Sequence, residues 1–301
     1  MRSKLKIITL NLILFAFLAC KAEQERPLTT NPANPDSFIQ IIGSDTMVNL
    51  VQAWAEAFAL THPHVNISIR GGGSGTGIAA FLNHSCQIAM SSRPISLNEL
   101  NEAKQAGIEP MEYKVALDGL IVIVNPQNKL YGVTLDQLRD IFLGRINSWE
   151  ELNSSGGRIV ILSRESNSGT YLFFKEHILQ RGNKKNRDEF SPHALLMPSS
   201  QAIVNEVRQN PHAIGYVGLG YLAPYLKALA IARDLESPYI MPSIESVADN
   251  SYPISRPLFF YIDNKPTGLI KEFIDFVLSA EGQRIVTQTD FVPVKPYEEN
   301  N

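Results

Sequence analysis

The chain has 301 residues, of which 44% are hydrophobic and 19% charged, a composition that excludes a collagen, a disordered tail and a polytopic membrane protein. The formal net charge is −3, from 27 Lys and Arg against 30 Asp and Glu, which is too balanced to predict a nucleic-acid or membrane surface from charge alone. Two cysteines, Cys20 and Cys86, cannot build a disulfide framework and match no zinc-site spacing. The fold must therefore depend on a packed core.

The N-terminus has the pattern of an export signal. Three basic residues precede an apolar stretch at residues 7–19, which as a helix of ~1.5 Å per residue is shorter than the ~30 Å hydrocarbon core of a membrane. We therefore predict that residues 1–19 are a cleaved signal peptide. A small residue followed by Cys20 resembles a bacterial lipobox, which implies a lipid-bearing Cys20; an ordinary secretory signal is the alternative. The polar, Pro-rich residues 20–37 predict a flexible tether.

Strand and helix patterns alternate along the remaining chain. Apolar or alternating runs predict strands, and apolar residues recurring at i, i+3 and i+4 predict helices. Thr134 and Gln137 have the spacing of a capping box. The alternation predicts an α/β protein with mostly parallel sheets in two lobes. In chain order the predicted elements are strand 38–42, helix 48–58, strand 64–70, helix 78–82, strand 86–90, helix 97–106, strand 120–124, helix 138–143, strand 158–162, helix 171–179, helix 201–208, strand 213–217, strand 257–262 and helix 269–278.

Three of the turns between a strand and a helix share an unusual composition. They are GSDTM at 43–47, GGGSGTG at 71–77 and SRESNSGT at 163–170. A helix N-terminus leaves N–H groups unpaired and carries about half a positive charge, glycine lets the backbone approach a ligand, and hydroxyls add donors. Any one turn is more simply a helix cap. Three in one chain, with an arginine in the last, predict a site for an oxyanion.

Other chemistries fit the sequence less well. The G-x-G-x-x-A pattern at 75–80 follows a strand, but no acidic residue lies near the position that a dinucleotide fold requires. The chain has no G-K-[ST], G-x-S-x-G or H-E-x-x-H pattern. His62-Pro-His64 is more simply a surface turn than a metal site. We therefore expect no catalysis, no cofactor and no metal.

The motifs together resemble one known family. In order over residues 39–293, the chain contains IIGSDTM, RGGGSGTGIAAF, QIAMSSRPIS, ALDGLIVIVNPQN, VTLDQLRDIFLGRINSWEEL, LSRESNSGTYLFF and AIGYVGLGYL. These motifs resemble the phosphate-binding protein of high-affinity phosphate ABC transporters. The resemblance implies an α/β, two-lobed type II periplasmic-binding-protein-like fold with a central mostly parallel sheet in each lobe and a two-strand hinge. Lobe I would comprise residues 38–116 plus 255–301, and lobe II residues 117–254.

The same resemblance implies the function and the partners. The protein would be an extracytoplasmic lipoprotein that captures inorganic phosphate between its lobes and delivers it to an ABC permease, as a monomer with a lipid anchor and no nucleic-acid partner. A binder of another tetrahedral oxyanion such as sulfate or molybdate, or a phosphate sensor or adhesin, is the alternative. A secreted phosphoryl-transfer enzyme fits less well.

The resemblance also implies a set of contact residues. Many family members carry an Asp where this chain has Ser92. Phosphate differs from sulfate in carrying a proton at neutral pH, so selectivity needs an acceptor, whereas a serine hydroxyl donates as readily as it accepts. Discrimination should therefore be weaker unless Asp45 or another carboxylate substitutes. Arg93 is either a surface cation or a second guanidinium at the anion. The implied set is Ser44, Thr46, Met47, Ser74, Gly75, Thr76, Ser92, Arg93, Arg164, Ser168, Gly169 and Thr170.

Overall fold

A computed structural model describes residues 37–154, 157–183 and 185–294. The predicted signal peptide at 1–19, Cys20, and the tether up to residue 36 lie outside the described residues, as do residues 295–301 of the predicted lobe I. Within the described ranges, no helix has the length and apolar character needed to cross a membrane.

The strands of the described residues form two sheets. The larger has the order β2-β1-β3-β11-β4-β8-β6-β7, with β9 also pairing β4, and the smaller consists of β10 and β5. The strands are β1 (Phe38–Gly43), β2 (Asn66–Arg70), β3 (Ile88–Ser91), β4 (Pro110–Val124), β5 (Gly132–Thr134), β6 (Val160–Arg164), β7 (Leu195–Met197), β8 (Ala213–Gly218), β9 (Lys227–Ala228), β10 (Ala230–Ala232) and β11 (Ser255–Asp263).

Helices lie between most of these strands. The predicted capping box is confirmed: the Gln137 backbone N–H donates to Thr134 Oγ1, and the Thr134 N–H donates to the Gln137 side chain. The predicted helix at 171–179 divides into an α-helix and a π-helical turn, Lys175–Leu179. The helices are α1 (Val48–Thr61), α2 (Ser74–Leu82), α3 (Leu97–Gln105), α4 (Leu135–Phe142), α5 (Gly169–Phe174), α6 (Ser200–Gln209), α7 (Ile244–Ala248), α8 (Gly268–Val277) and α9 (Ala280–Gln288).

The large sheet has a parallel group of strands at each end and an antiparallel centre. β1 pairs in parallel with β2 and β3, and β6 pairs in parallel with β7 and β8. The long strands β4 and β11 are antiparallel to each other and join these two parallel groups. The predicted α/β class with parallel pairings is therefore confirmed, and the antiparallel centre arises because β11 runs opposite to β3 and β4 runs opposite to β8.

Two large hydrophobic clusters lie on either side of this centre. The first packs α1, α8 and α9 against β1 and β3, around Trp54, Phe58 and Phe273. The second packs α4, α5 and α6 against β6 and β8, around Phe174 and Tyr216. β4 belongs to both, because its residues 115–116 lie in the first cluster and 120–124 in the second.

β4 is three times as long as the strand predicted at 120–124. Its first five residues, 110–114, are exposed or half-buried, so they lack the apolar run that marks a strand in sequence. The cross-strand ladder with β11 holds them: Asp263 lies opposite Pro110 and Ser255 opposite Gly119. The short strands β5, β7, β9 and β10 were also absent from the prediction, because two or three residues cannot show a period.

Candidate oxyanion-binding site

The first predicted turn begins where β1 ends. Gly43 has a φ of +148°, and a Cβ placed on it would be 2.0 Å from the carbonyl oxygen of Met90 in β3. The Ser44 N–H donates to that same oxygen at 2.7 Å. Glycine is therefore required for the turn to cross β3 closely. The chain then enters a 3-10 turn at Asp45–Met47, where the side chains of Thr46 and Met47 are fully buried.

The second predicted turn is attached to both of the others. The Gly73 N–H donates to Gly43 O at 2.9 Å, and the Gly75 N–H donates to Asn167 O at 3.0 Å. The Asn167 side-chain amide donates to Thr76 Oγ1 at 3.1 Å. Gly75 and Thr76 thus hold the second turn against the third, while Ser74 begins α2 with its side chain buried.

The third predicted turn connects β6 to α5. Ser168 caps α5, its Oγ accepting the N–H groups of Thr170 at 3.2 Å and Tyr171 at 3.4 Å. Gly169 packs so closely on the second turn that an added Cβ would be 2.3 Å from Ser74 Oγ. The three predicted turns therefore meet.

Five buried hydroxyls lie where the turns meet. Thr46 Oγ1 and Thr170 Oγ1 are 2.9 Å apart, Ser74 Oγ and Ser92 Oγ are 3.3 Å apart, and the Ser92 N–H donates to Ser74 Oγ at 3.0 Å. Hydroxyls can each donate and accept, so the group can offer donors to an oxyanion without adding charge. We call this group the hydroxyl cluster: Thr46, Ser74, Ser92, Ser168 and Thr170.

Arg164 lies at the end of β6 and is almost entirely enclosed. Its Nη1 donates to Asp45 Oδ2 at 3.2 Å and to Ser200 Oγ at 3.0 Å. Its Nη2 donates to Pro198 O at 3.1 Å and its Nε to Met197 O at 3.3 Å. A guanidinium has five N–H groups, so four of them already have acceptors within the protein. Arg164 therefore ties the third turn to the first through the carboxylate of Asp45.

Arg93 is directed at a different carboxylate. Its two terminal nitrogens donate to Glu99 at 2.8 and 2.6 Å, and Nη1 also donates to Pro94 O at 2.9 Å. Burial raises the pKa of Glu99, but the hydrogen bonds from Arg93 and from the Ser96 backbone bring that pKa below its usual value. The structure therefore places the Arg93 guanidinium on the first turn of α3, while the neighbouring Ser92 lies in the hydroxyl cluster.

Two buried charged residues at the cluster were not predicted from sequence. Arg256 of β11 lies directly opposite Asp118 of β4 in the strand register, and its Nε and Nη2 donate to Asp118 Oδ2 at 3.1 and 2.9 Å. Nη2 also donates to Thr170 Oγ1 at 3.0 Å and to Thr46 Oγ1 at 3.3 Å. The sequence does carry a signal for them, because charged residues inside otherwise buried strands are rare unless paired.

The charges at the site balance. Arg164 is paired with Asp45, and Arg256 is paired with Asp118. Burial raises the pKa of Asp118, and the facing Arg256 opposes that rise. Over the ranges that the structure describes, no group of three or more His, Cys, Asp or Glu side chains could hold a metal ion. The arrangement offers hydroxyl and guanidinium donors in a buried setting, which is the chemistry of anion binding.

Comparisons with known proteins show the family of the chain. Residues 22–281 match the family model described as a PBP superfamily domain. The phosphate-binding protein PstS of Pseudomonas aeruginosa is 31% identical over 270 residues, which cover 84% of this chain and 82% of that protein. PstS of Bacillus subtilis is 29% identical over 297 residues, covering 95% and 94%.

A solved structure indicates the same family of phosphate-binding proteins. The crystal structure of a Clostridium perfringens protein assigned as a phosphate ABC transporter substrate-binding protein, with bound phosphate, has a TM-score of 0.77 and 32% identity, over 86% of this chain and 100% of that one. The predicted type II fold is thereby confirmed, and the family consists of substrate-binding proteins rather than enzymes. The chain belongs to the PBP superfamily and, within it, to the family of PstS phosphate-binding proteins.

Proposed function

We propose that this protein captures inorganic phosphate outside the cytoplasm and delivers it to the permease of an ABC transporter. The observation that carries the proposal is the meeting of three turns around buried hydroxyls, with Thr46 Oγ1 2.9 Å from Thr170 Oγ1 and Ser74 Oγ 3.3 Å from Ser92 Oγ. The names of the relatives and the phosphate bound to the Clostridium perfringens protein support phosphate as the anion.

The proposed contacts follow the predicted set with one exception. Gly75 and Thr76 act by holding the second turn on the third, since their polar groups bond Asn167. Arg93 is left out because both of its terminal nitrogens donate to Glu99, which leaves only its buried Nε without a partner among the described residues. The proposed site therefore comprises Ser44, Thr46, Met47, Ser74, Gly75, Thr76, Ser92, Arg164, Ser168, Gly169 and Thr170, of which Gly75 and Thr76 support the others rather than contact phosphate.

The number of donors is sufficient for tight binding. Hydrogen bonds to a charged group contribute ~1.5–3 kcal/mol each, and a micromolar complex corresponds to about 8 kcal/mol. About eight to ten such donors can therefore offset the dehydration of a small dianion and the ordering of the protein, and still leave micromolar affinity.

The two-lobe division is part of the proposal. It assigns residues 38–116 plus 255–301 to lobe I and 117–254 to lobe II, and the two large hydrophobic clusters support it because they divide the chain near the same positions. Asp45 bonds Arg164, and Gly75 bonds Asn167, across the boundary between these assignments. A ligand that touches both lobes would favour their closed arrangement, which a permease can recognise.

Isothermal titration calorimetry tests the binding proposal. We expect the chain from residue 21 onward, freed of bound phosphate, to bind phosphate at micromolar concentration or below, because the cluster offers neutral and charged donors. Sulfate, arsenate and molybdate are titrated alongside, and Ser92 predicts a smaller margin over sulfate than an Asp there would give. A strongest response to sulfate or molybdate would make the protein a receptor for that anion. No heat with any of the four would reject the proposal.

The membrane anchor is a further part of the proposal, supported by the sequence around Cys20. In a bacterium that processes lipoproteins, we expect Cys20→Ser to move the protein from the membrane fraction to the soluble fraction, because the acceptor of the lipid is removed. Immunoblotting of the fractions measures this. Cys86→Ser is the matched control, since Cys86 is a buried cysteine within the fold, and it should stay with the membrane. A wild-type chain that is itself soluble would contradict lipidation.

We also propose that the protein acts as a monomer.

A further inference from the structure

Arg256 is a buried guanidinium whose donors are only partly used. The residue is 2% exposed, and its Nε and Nη2 are occupied by Asp118 and by the hydroxyls of Thr46 and Thr170. Its Nη1 is also buried and has no hydrogen-bond partner among the described residues. Folded proteins leave few buried polar groups unpaired, because each one loses its water without compensation. An unpaired charged donor beside the hydroxyl cluster therefore indicates a ligand.

The planar shape of the guanidinium shows where Nη1 faces. Its N–H groups lie in one plane as a rigid fork, and the edge formed by Nε and Nη2 is turned to Asp118 Oδ2. The next edge is formed by Nη2 and Nη1, and on this edge Nη2 donates to Thr46 Oγ1 and Thr170 Oγ1. Nη1 therefore lies on the side of the hydroxyl cluster. The Phe173 ring, whose centroid is 5.4 Å from the central carbon of the guanidinium, covers one face.

The hydroxyls beside Arg256 are oriented by it. Thr46 Oγ1 and Thr170 Oγ1 both accept from Nη2 and are 2.9 Å from each other. A hydroxyl has one hydrogen and two lone pairs, so one of the two hydrogens bridges the pair and the other remains to be donated elsewhere. Arg256 thereby turns this pair of hydroxyls into a donor.

Arg164 contrasts with Arg256. Each of the three nitrogens of Arg164 already donates to an acceptor of the protein. Arg256 keeps a whole nitrogen unpaired at the same site. Of the two buried guanidiniums, Arg256 therefore has the larger unused capacity to donate.

We propose that Arg256 is a phosphate-contacting residue, whose Nη1 donates to an oxygen of the bound anion while its Nη2 holds Thr46 and Thr170 as donors. Asp118 is a positioning residue that fixes the plane of the guanidinium. This inference rests on the proposed function, since it assumes that the hydroxyl cluster is where phosphate binds. It adds a direct contact from β11, an element outside the three turns.

The double variant Asp118→Asn/Arg256→Gln tests the proposal. Replacing both charges together leaves no uncompensated buried charge, and an asparagine oxygen can still accept the Leu219 N–H that Asp118 Oδ1 accepts. We expect the Kd for inorganic phosphate, measured by titration calorimetry, to rise by about 30-fold or more, as for the loss of hydrogen bonds to a charged group. The control Arg139→Gln/Asp188→Asn removes a partly buried ion pair elsewhere in the protein and should leave the Kd within about twofold, as expected of a pair without contact to the anion.

The outcomes separate this inference from the proposed function. Wild-type protein that does not bind phosphate would reject the proposed function. If the wild-type protein binds phosphate and the Kd of the double variant is within about threefold of the wild-type Kd, the role of Arg256 is overturned and the proposed function stands. The reason is that the loss of a charge-assisted hydrogen bond costs more than about threefold. A crystal structure of the wild-type phosphate complex decides independently of whether the variant folds. A phosphate oxygen within ~3.2 Å of Arg256 Nη1 supports the proposal, and any longer separation overturns it.

Discussion

Replacing Gly169 by alanine is expected to weaken phosphate binding by about 100-fold or more, since losing two hydrogen bonds to a charged group at ~1.5–3 kcal/mol each costs at least about that factor. The new Cβ would be 2.3 Å from Ser74 Oγ and 2.7 Å from Ser92 Oγ, and both hydroxyls are fully buried. Ser74 Cβ, at 3.0 Å, blocks escape by a simple rotation. The third turn would have to move away from the second, so the hydroxyl cluster could not form.

The fold should survive this substitution. The clash lies between turns that we assign to different lobes, so it is relieved when the turns separate, and we expect the free energy of unfolding in urea to change by about 1 kcal/mol or less. Gly268→Ala is the matched control: Gly268 also begins a helix, and an added Cβ meets no atom within 4 Å although φ is +52°. Calorimetry should show its phosphate affinity unchanged. A Gly169→Ala variant with wild-type affinity would contradict the assignment of this site.

Gly43→Ala is expected to have the largest effect on folding, a loss of more than about 4 kcal/mol of unfolding free energy. Its Cβ would lie 2.0 Å from Met90 O and 3.1 Å from Met90 N. These are backbone atoms of β3, which pairs with β1 at this position, so no side-chain rotation relieves the clash. The φ of +148° adds strain for any residue with a side chain.

Urea unfolding followed by far-UV circular dichroism measures this loss. Gly107→Ala is a suitable comparison, because Gly107 has a φ of +72° but no atom within 4 Å of an added Cβ. It should cost only the strain of the left-handed conformation, about 1 kcal/mol. A Gly43→Ala protein within about 1 kcal/mol of wild type would show that β1 and β3 approach each other less closely than these distances indicate.

Local signals in the sequence predicted most elements well. Thr134 and Gln137 indicated the start of α4, and the apolar spacing of Val51, Trp54 and Phe58 indicated α1. Both signals act over three or four residues, where a side chain meets its own backbone or its neighbour on the helix face. The first part of β4 gave no such signal, because pairing with β11 more than a hundred residues away holds it in place.

The sequence by itself determined the composition of the three turns, the type II fold through its motifs, and the nature of the donors, because these depend on residue type and local spacing. The tertiary structure decided which charges meet. Arg93 was a candidate contact but pairs with Glu99, six residues along the chain. Arg256 was not among the predicted contacts, yet it meets Asp118 across 138 residues and reaches Thr46 and Thr170. The register of β4 and β11 sets that meeting, and register depends on the packing of whole sheets rather than on neighbouring residues.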